Sequence, residues 1–348
     1  DNAIMSAGGY GLESDFHNNF RPEPQYENGV ESLWAMQYSM NDGTNNGNCN
    51  WSYGLIVPNI PGVTDGGCDF YKPSQNLVNA FRTDANGHPL LDSFNNTDYN
   101  SQSDYADPRL FLTVGMPGFP YEFNKNYMMD QSTTWSRSNG LYGYYVTLKQ
   151  NVDPDGDYLI KGAWWGSPMN RIVLRYSDVL LMRAEALIQL NDGRIAEAIS
   201  LINEVRNRAD LPDLELADFP TADKLFEQIA NVERPKEFGC EFGRGFDLIR
   251  WGFFYKNDRL QQLKEHSVVR RSVTGTKDPV DYNDIATDSE LKSSFDTYLP
   301  GHEFLPIVQQ LLNKNPNLSG NSANFSTDNS TYFSENGWTV HPVVDLSK

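Results

Sequence analysis

Residues 177–190 read SDVLLMRAEALIQL, and this stretch decides the fold. It is apolar except at the candidate cap Ser177 and at Asp178, Arg183, Glu185 and Gln189. A helix that is apolar on more than one side must be covered on more than one side. The stretch therefore predicts a core helix that begins with Ser177 as its cap.

A second helical pattern follows after a short break at 191–193, which reads NDG. Apolar residues recur there at helical intervals, at Ile195, Ala198, Ile199, Ile202, Val205 and Ala209. So short a turn makes the two helices antiparallel, and the small side chains of Ala184, Ala186 and Ala198 allow their axes to approach closely. The sequence predicts an αα-hairpin.

A third helical run begins at Thr221, which is a candidate cap, and contains Pro235. An interior proline removes a hydrogen bond and costs about 3 kcal/mol, so we expect a kink or a restart there. Beyond it, Arg244, Asp247 and Arg250 are spaced three residues apart. We expect these charges to pair along one flank of a buried helix.

Two short segments are typical of strands, and the pattern of a third fits either a strand or a helical turn. Residues 110–114 and 142–148 are rich in β-branched and aromatic side chains, and we predict a strand in each. Residues 31–38, which include Trp34 and Met36, are either a short buried strand or a turn of helix, because so short a run has no decisive periodicity.

Several blocks of sequence, in a fixed order along the chain, resemble one known family. The longest are RYSDVLLMRAEA at 175–186, INEVRNRA at 202–209 and DLIRWG at 247–252, joined by 31–39, 74–81, 107–110, 233–237, 303–307 and 315–318. Together they resemble the SusD/RagB family of outer-membrane nutrient-binding lipoproteins. Any single block would be a weak signal, whereas the ordered set is specific.

The resemblance implies a mainly α, SusD-like fold, in which tetratricopeptide-type helical hairpins accompany large irregular loop regions and a few short strands. It also implies a lipoprotein of the outer membrane, exposed at the cell surface. Such a protein binds an oligosaccharide and delivers it, without catalysis, to a SusC-like TonB-dependent transporter. A peptide-binding member of the same family and a glycoside hydrolase are the alternatives.

The resemblance also bears on the extent and division of the chain. Residue 1 falls well inside the family pattern, so we expect the upstream helical repeats and a lipidated amino-terminus to be missing, and membrane attachment to depend on that missing segment. We predict a loop-rich ligand-binding region at 1–170, a helical core at 171–265 and an irregular carboxy-terminal wrap at 266–348, all within one structural unit.

The composition favours an uncharged ligand. The chain has 46 acidic and 28 basic residues, for a net charge of −18. Such a charge argues against general electrostatic attraction to nucleic acid, acidic polysaccharide or an anionic membrane. No run approaches the ~20 apolar residues that cross a bilayer.

A sugar site needs flat aromatic rings for the apolar ring faces and polar side chains for the hydroxyl groups. Trp51 and Tyr53 stand at the end of a polar loop that contains Asn45, Asn46 and Asn48, and they are our first choice. The alternatives are Trp135, Tyr142, Trp164 and Trp165. Each of these aromatic residues, taken alone, is also compatible with ordinary buried packing.

No catalytic residue is assigned. Glu233, Glu237 and Glu241 recur every four residues, and a glycosidase would need two carboxylates ~5–10 Å apart across a cleft. Glutamates stacked on one helical face beside arginines are better explained as a structural ion-pair network. The expected partners are Arg234, Arg244 and Arg250.

No cofactor is assigned either, although one acidic loop resembles a calcium site. Residues 153–157 read DPDGD, but the glycine comes two positions early for a calcium-binding loop, and Trp164 occupies the place of the bidentate glutamate. A looser calcium site and a solvated acidic turn both remain open.

Three cysteines are too few for a disulfide framework. Cys49 and Cys68 lie in loop-like sequence and could pair in an oxidising compartment, while Cys240 is expected to be a buried thiol.

Overall fold

The computed structural model describes residues 2–6, 8–43, 49, 68, 71–97, 99, 104–116, 118–129, 145–160, 166–241 and 243–253. The helices in this part of the chain are α1 Asn2–Ser6, α2 Gln75–Ala80, α3 Leu110–Thr113, α4 Tyr176–Leu190, α5 Ile195–Arg208, α6 Ala222–Gln228, α7 Arg234–Phe238 and α8 Arg244–Arg250. The strands are β1 Ser32–Met36, β2 Val114–Gly115, β3 Pro120–Tyr121, β4 Asn124–Met128, β5 Val146–Thr147 and β6 Arg171–Arg175. Single 3₁₀ turns lie at Phe16–Phe20, Leu91–Ser93 and Leu216–Asp218. The predicted mainly α fold is confirmed.

Helices α4 and α5 pack together as the predicted αα-hairpin. Asn191 ends α4 in the left-handed conformation (φ 46°), and its N–H donates to the carbonyl oxygen of Leu187. Ala184 and Ala198 are fully buried, as the close approach of the two helices requires.

The predicted cap of α4 is wrong. The helix begins at Tyr176, one residue before Ser177, and the Ser177 hydroxyl accepts a hydrogen bond from Nη1 of Arg175 (2.7 Å). The serine was predicted as a cap because its hydroxyl suits that role. In the fold, a buried guanidinium group uses the hydroxyl instead.

The third helical run starts as predicted, because the hydroxyl of Thr221 accepts from the N–H of Lys224 at the start of α6. The run then widens into one turn of π-helix at Ile229–Glu233, where the N–H of Arg234 donates to the carbonyl of Ile229. Pro235 falls in the first turn of α7, and Glu233 and Arg234 before it keep helical backbone angles. The run is thus not one regular α-helix, as expected, but it changes through a π-helical turn ahead of Pro235 and not through a break at the proline.

Strands β1 and β6 form an antiparallel ribbon, in which Ser32 pairs with Arg175 and Met36 with Arg171. Residues 31–38 thus contain a strand rather than a helical turn. A strand here was expected to be buried, but Trp34 is 64% exposed and Met36 is 49% exposed.

The other strand predictions were partly right. Residues 110–113 form α3, and only Val114 begins a strand, because Asp107 starts a tight turn there. Oδ1 of Asp107 accepts from the backbone N–H of Arg109 (3.0 Å), and its carbonyl oxygen accepts from the backbone N–H of Leu110 (2.9 Å). Strand β5 confirms the end of the predicted strand at 142–148, whose first residues lie outside the described chain.

Strands β2 and β5 pair beside a hydrophobic core cluster that joins them to α2 and α3. Its fully or nearly fully buried members are Val78, Phe81, Tyr99, Leu110, Val114, Met116 and Tyr145. Strand β3 pairs with β4 as a separate short hairpin.

The chain falls into two compact units, and within the described residues the boundary lies between 241 and 243. Helix α8 belongs to the second unit. In it, Nη2 of Arg250 lies 2.8 Å from Oδ1 of Asp247, which confirms that predicted pair. The division into 1–170, 171–265 and 266–348 stays a prediction. Among the described helices, none is both long and apolar enough to cross a bilayer.

Candidate functional site

The ligand-binding residues predicted from the sequence lie outside the described part of the chain. They are Trp51, Tyr53, Asn45, Asn46, Asn48, Trp135, Tyr142, Trp164 and Trp165. Their role in binding stays a prediction. Described residues that precede one of the predicted segments and follow another meet at one end of the β1–β6 ribbon.

The ribbon end consists of Gln37 and Tyr38, which follow β1, and of Asn170 and Arg171, at the start of β6. The backbone N–H of Tyr38 donates to Oδ1 of Asn170 (2.8 Å), and Nδ2 of Asn170 donates to Oε1 of Gln37 (2.9 Å). These bonds fix the residues after β1 to the residues before β6.

Both tryptophan-bearing segments connect to this end through the chain. Residues 50–67 come after β1, whereas 161–165 come before β6. Ile160 and Gly166, which bracket the second segment, exchange two backbone hydrogen bonds of 2.9 and 3.2 Å. In chain order, the segment that contains Trp51 thus follows this end of the ribbon, and the segment that contains Trp164 precedes it.

A partly buried carboxyl group, that of Glu27, also holds the ribbon end. Oε1 of Glu27 accepts from the backbone N–H of Asn170 (3.0 Å), while Oε2 of Glu27 is buried and accepts no hydrogen bond from the described residues. Burial raises the pKa of Glu27 to about 6, although the bonds from Asn170 oppose the shift. Glu27 thus carries a partial charge at mildly acidic pH.

Two tyrosines act on the guanidinium group at the ribbon end. Burial lowers the pKa of Arg171, and the nearby Tyr71 and Tyr38 act in the opposite direction. Tyr71 is 39% exposed and has a positive φ of 63°, which is uncommon for a residue with a bulky side chain. Strained backbone of this kind clusters at functional sites.

The ribbon end therefore contains amide, phenol and guanidinium groups, which are the kinds of group that form hydrogen bonds with sugar hydroxyl groups. Sequence reasoning missed Tyr38, Tyr71, Asn170 and Arg171. Nothing in chain order connects Tyr38 with Asn170, because the pairing of β1 with β6 alone brings them together. The positions could have been found only by predicting that register.

The three glutamates considered as catalytic belong to a buried charge network. Glu237 is fully buried, and its carboxylate accepts from Arg109 (2.7 Å), Arg175 (2.8 Å) and Arg208 (2.5 Å). Burial alone would raise the pKa of Glu237, but Arg208, Arg175 and Arg109 hold it well below the ordinary value. A carboxyl group that stays ionised in this way cannot serve as a general acid.

The other members of the network are paired in the same manner. Glu233 accepts from Arg206 (2.9 Å), and Glu241 accepts from Lys149 (2.7 Å) and from Arg175 (2.9 Å). Among the described residues, we define the buried charge network as five carboxylates and six cations: Glu31, Asp107, Glu233, Glu237, Glu241, Arg109, Lys149, Arg175, Arg206, Arg208 and Lys236.

The predicted ion-pair network is thus present, but its predicted partners are wrong. Arg234 donates to Asp178 (2.7 Å), and Arg250 pairs with Asp247 within the second unit. Arg244 lies with its guanidinium carbon 5.7 Å from the centre of the Trp251 ring. The real partners come from elements far away in sequence, where helical spacing gives no information.

The SusD family model matches residues 30–324 of this chain, which is more than half of its length. This match decides the family. The chain belongs to the SusD family.

Relatives of this SusD family chain are longer than it is. A SusD-like protein from Formosa agariphila, P25, is 25% identical over 281 residues, which are 75% of this chain and 46% of the relative. A SusD-like protein from Bacteroides ovatus is 33% identical over 131 residues, which are 35% of this chain and 22% of the relative. The chain spans less than half the length of these two relatives.

Solved structures share the fold. A SusD-like carbohydrate binding protein from Bacteroides fragilis aligns with a TM-score of 0.56 at 21% identity, over 72% of this chain and 47% of that one. A SusD superfamily protein from Bacteroides vulgatus aligns with a TM-score of 0.50 at 22% identity, over 90% of this chain and 55% of that one. The predicted SusD-like fold is confirmed.

Within the described part of this SusD family protein, no group of three or more His, Cys, Asp or Glu residues is placed to hold a metal ion. In the acidic loop considered for calcium, Oδ1 of Asp153 accepts from the N–H of Asp155 (2.9 Å), and its carbonyl accepts from the N–H of Gly156 (3.0 Å). These bonds are those of an ordinary polar turn.

The cysteines do not form the disulfide that the sequence left open. Cys49 and Cys68 are both described and are not joined. The thiol of Cys49 is buried and donates to the carbonyl oxygen of Ser39 (3.3 Å).

Proposed function

We propose that this protein binds a neutral oligosaccharide at the cell surface and delivers it, uncleaved, to a SusC-like TonB-dependent transporter in the outer membrane. Membership of the SusD family supports the proposal. The protein from Bacteroides fragilis that shares the fold is described as carbohydrate binding, which supports a sugar as the ligand class.

The observation that carries the glycan assignment is the composition of the ribbon end. It combines the polar side chains of Gln37, Asn170 and Arg171 with chain connections that lead to the segments containing Trp51 and Trp164. Stacking on an indole ring and hydrogen bonding to hydroxyl groups are the two interactions that a neutral sugar requires.

Binding without cleavage is supported by the state of two of the three glutamates. Glu233 and Glu237 are almost fully buried and their pKa values are lowered, despite burial, by neighbouring cations. A glycosidase needs a proton-donating carboxyl group that reaches the glycosidic oxygen from a cleft.

A ligand screen tests the proposal. Tryptophan fluorescence is titrated with a panel of neutral polysaccharides and with a peptide pool, while released reducing ends are measured in parallel. Saturable binding of a neutral glycan without new reducing ends supports the proposal. Saturation by peptides alone would instead indicate a peptide-binding family member, and new reducing ends would indicate a hydrolase.

Variants then locate the site. We expect Trp51→Ala to weaken glycan affinity about fivefold to tenfold, since stacking on one aromatic ring contributes roughly 1–1.5 kcal/mol. Tyr105→Ala is the matched control, because Tyr105 is an exposed aromatic residue outside the predicted site. Equal affinities of the two variants would remove Trp51 from the site.

A further inference from the structure

One cation of the buried charge network lacks a hydrogen-bond acceptor. The ammonium group of Lys236 is fully buried, and none of the described residues accepts a hydrogen bond from it. Oδ2 of Asp107 lies 3.7 Å away, which is beyond hydrogen-bond distance. A buried ammonium group with three unused donors is strongly destabilising, so the position calls for an acceptor.

A second unused donor belongs to the same part of the network. Arg206 is fully buried and donates through Nε to the carbonyl of Pro212 (2.9 Å) and through Nη1 to Glu233 (2.9 Å). Its Nη2 donates to none of the described residues. Glu233, which accepts from Nη1 of Arg206, stands three residues before Lys236 in the same helical run, so the two donors flank one carboxylate.

The formal charge of the network points to the sign of the missing acceptor. Among the described residues, five carboxylates face six cations, so the network carries a net charge of +1 when all its groups are ionised. An uncompensated buried charge is costly. A single monovalent anion would neutralise the network.

We propose that one small monovalent inorganic anion, with the chemistry of chloride, binds within the buried charge network between Lys236 and Arg206. It accepts hydrogen bonds from Nζ of Lys236 and Nη2 of Arg206. A divalent oxyanion is disfavoured because the carboxylates of Asp107 and Glu233 lie close to the same cations. Burial lowers the pKa of Lys236, and the anion opposes this effect by stabilising the charged ammonium group.

Bromide substitution tests the site in the wild-type protein. The protein is purified and crystallised in sodium bromide, and anomalous scattering locates the ion. A peak in contact with Nζ of Lys236 and Nη2 of Arg206 supports the proposal. A water molecule at that position without anomalous signal, or bromide at the surface as an adventitious ion only, overturns it.

Thermal unfolding gives an independent test. Replacing gluconate by chloride at constant ionic strength is expected to raise the melting temperature by about 3 °C, because the ion binds the folded state. Lys236→Met should abolish this dependence, whereas Lys224→Met, at an exposed lysine, should retain it. Equal chloride dependence in Lys236→Met and the wild type overturns the proposal, and the bromide experiment decides the matter if that variant fails to fold.

Discussion

Glu237 shows how much a single buried carboxylate can organise. It accepts from three guanidinium groups that come from the turn before α3, from β6 and from α5. Helical spacing predicted that Glu233 and Glu237 take part in ion pairs, and this is confirmed. It could not identify the partners, because Arg109 and Arg175 are brought to α7 by the tertiary fold.

Removing this carboxylate should be among the most damaging single changes in the first unit. Glu237→Ala leaves three buried guanidinium groups without their shared acceptor, so we expect a loss of about 3–5 kcal/mol in the free energy of unfolding. Urea denaturation measures the loss, and Glu237→Gln serves where the alanine variant does not fold. Glu197→Ala, which breaks the partly exposed pair with Arg183, should cost well under 1 kcal/mol. Similar losses in Glu237→Ala and Glu197→Ala would contradict the central role of Glu237.

Glu27 should make stability depend on pH in the opposite sense to a salt-bridged carboxylate. Its pKa of about 6 lies above the ordinary value, so its contribution to stability is present below pH 4.5 and is lost as the pH rises through 6. Glu27→Gln keeps the acceptor for Asn170 and removes the charge. At pH 8 we expect this variant to be more stable than the wild type by roughly 1 kcal/mol, after allowance for the half-exposed position, with a smaller gain at pH 5.

Urea denaturation of both proteins at pH 5 and pH 8 checks this expectation. Glu23→Gln is the matched control in the same turn, because the hydrogen bond from Arg21 lowers the pKa of Glu23. That variant should lose stability at pH 8 rather than gain it. A gain in Glu27→Gln that is the same at both pH values would show that titration of Glu27 is not its cause.

At the scale of elements, sequence patterns located helices better than they located their ends. The periodicity of 177–190 and of 195–209 predicted the α4–α5 hairpin correctly. The cap at Ser177 was wrong because the buried guanidinium group of Arg175 uses its hydroxyl, and the strand at 110–114 was wrong for 110–113 because the turn at Asp107 starts a helix there. The π-helical turn before Pro235 was not predicted, because the widened turn has no composition signal of its own.

The packing of α7 on α2 makes one glycine indispensable. A Cβ atom at Gly239 would lie 2.7 Å from the carbonyl oxygen of Pro235 and 3.1 Å from Cδ1 of Leu77. A backbone oxygen cannot move away cheaply, so Gly239→Ala should destabilise the fold by about 1–3 kcal/mol. The melting temperature measures the effect. Gly245→Ala is the control, since a Cβ atom there meets nothing within 4 Å, and an equal drop in both variants would refute the packing argument.

At the scale of the whole molecule, the ordered blocks predicted the family, and the family match confirms it. The predicted glycan residues are a different matter. Trp51 and Trp164 were chosen from their polar neighbours in sequence, which cannot tell a binding ring from a packed one. Trp34 illustrates the difficulty: we expected it to be buried, yet it is 64% exposed.

The net charge of −18 provides a test of ligand class that needs no site residue. The long-range field of so acidic a chain repels polyanions, and salt screens that repulsion over a Debye length of ~10 Å at 0.1 M. We expect a neutral polysaccharide to be bound equally at 20 and 500 mM NaCl. The carboxymethylated form of the same polymer should bind more weakly at 20 mM and recover partly at 500 mM. Affinity electrophoresis of the two polymers measures this, and tighter binding of the charged form at low salt would show that local cations at the ribbon end, rather than the net charge, select the ligand.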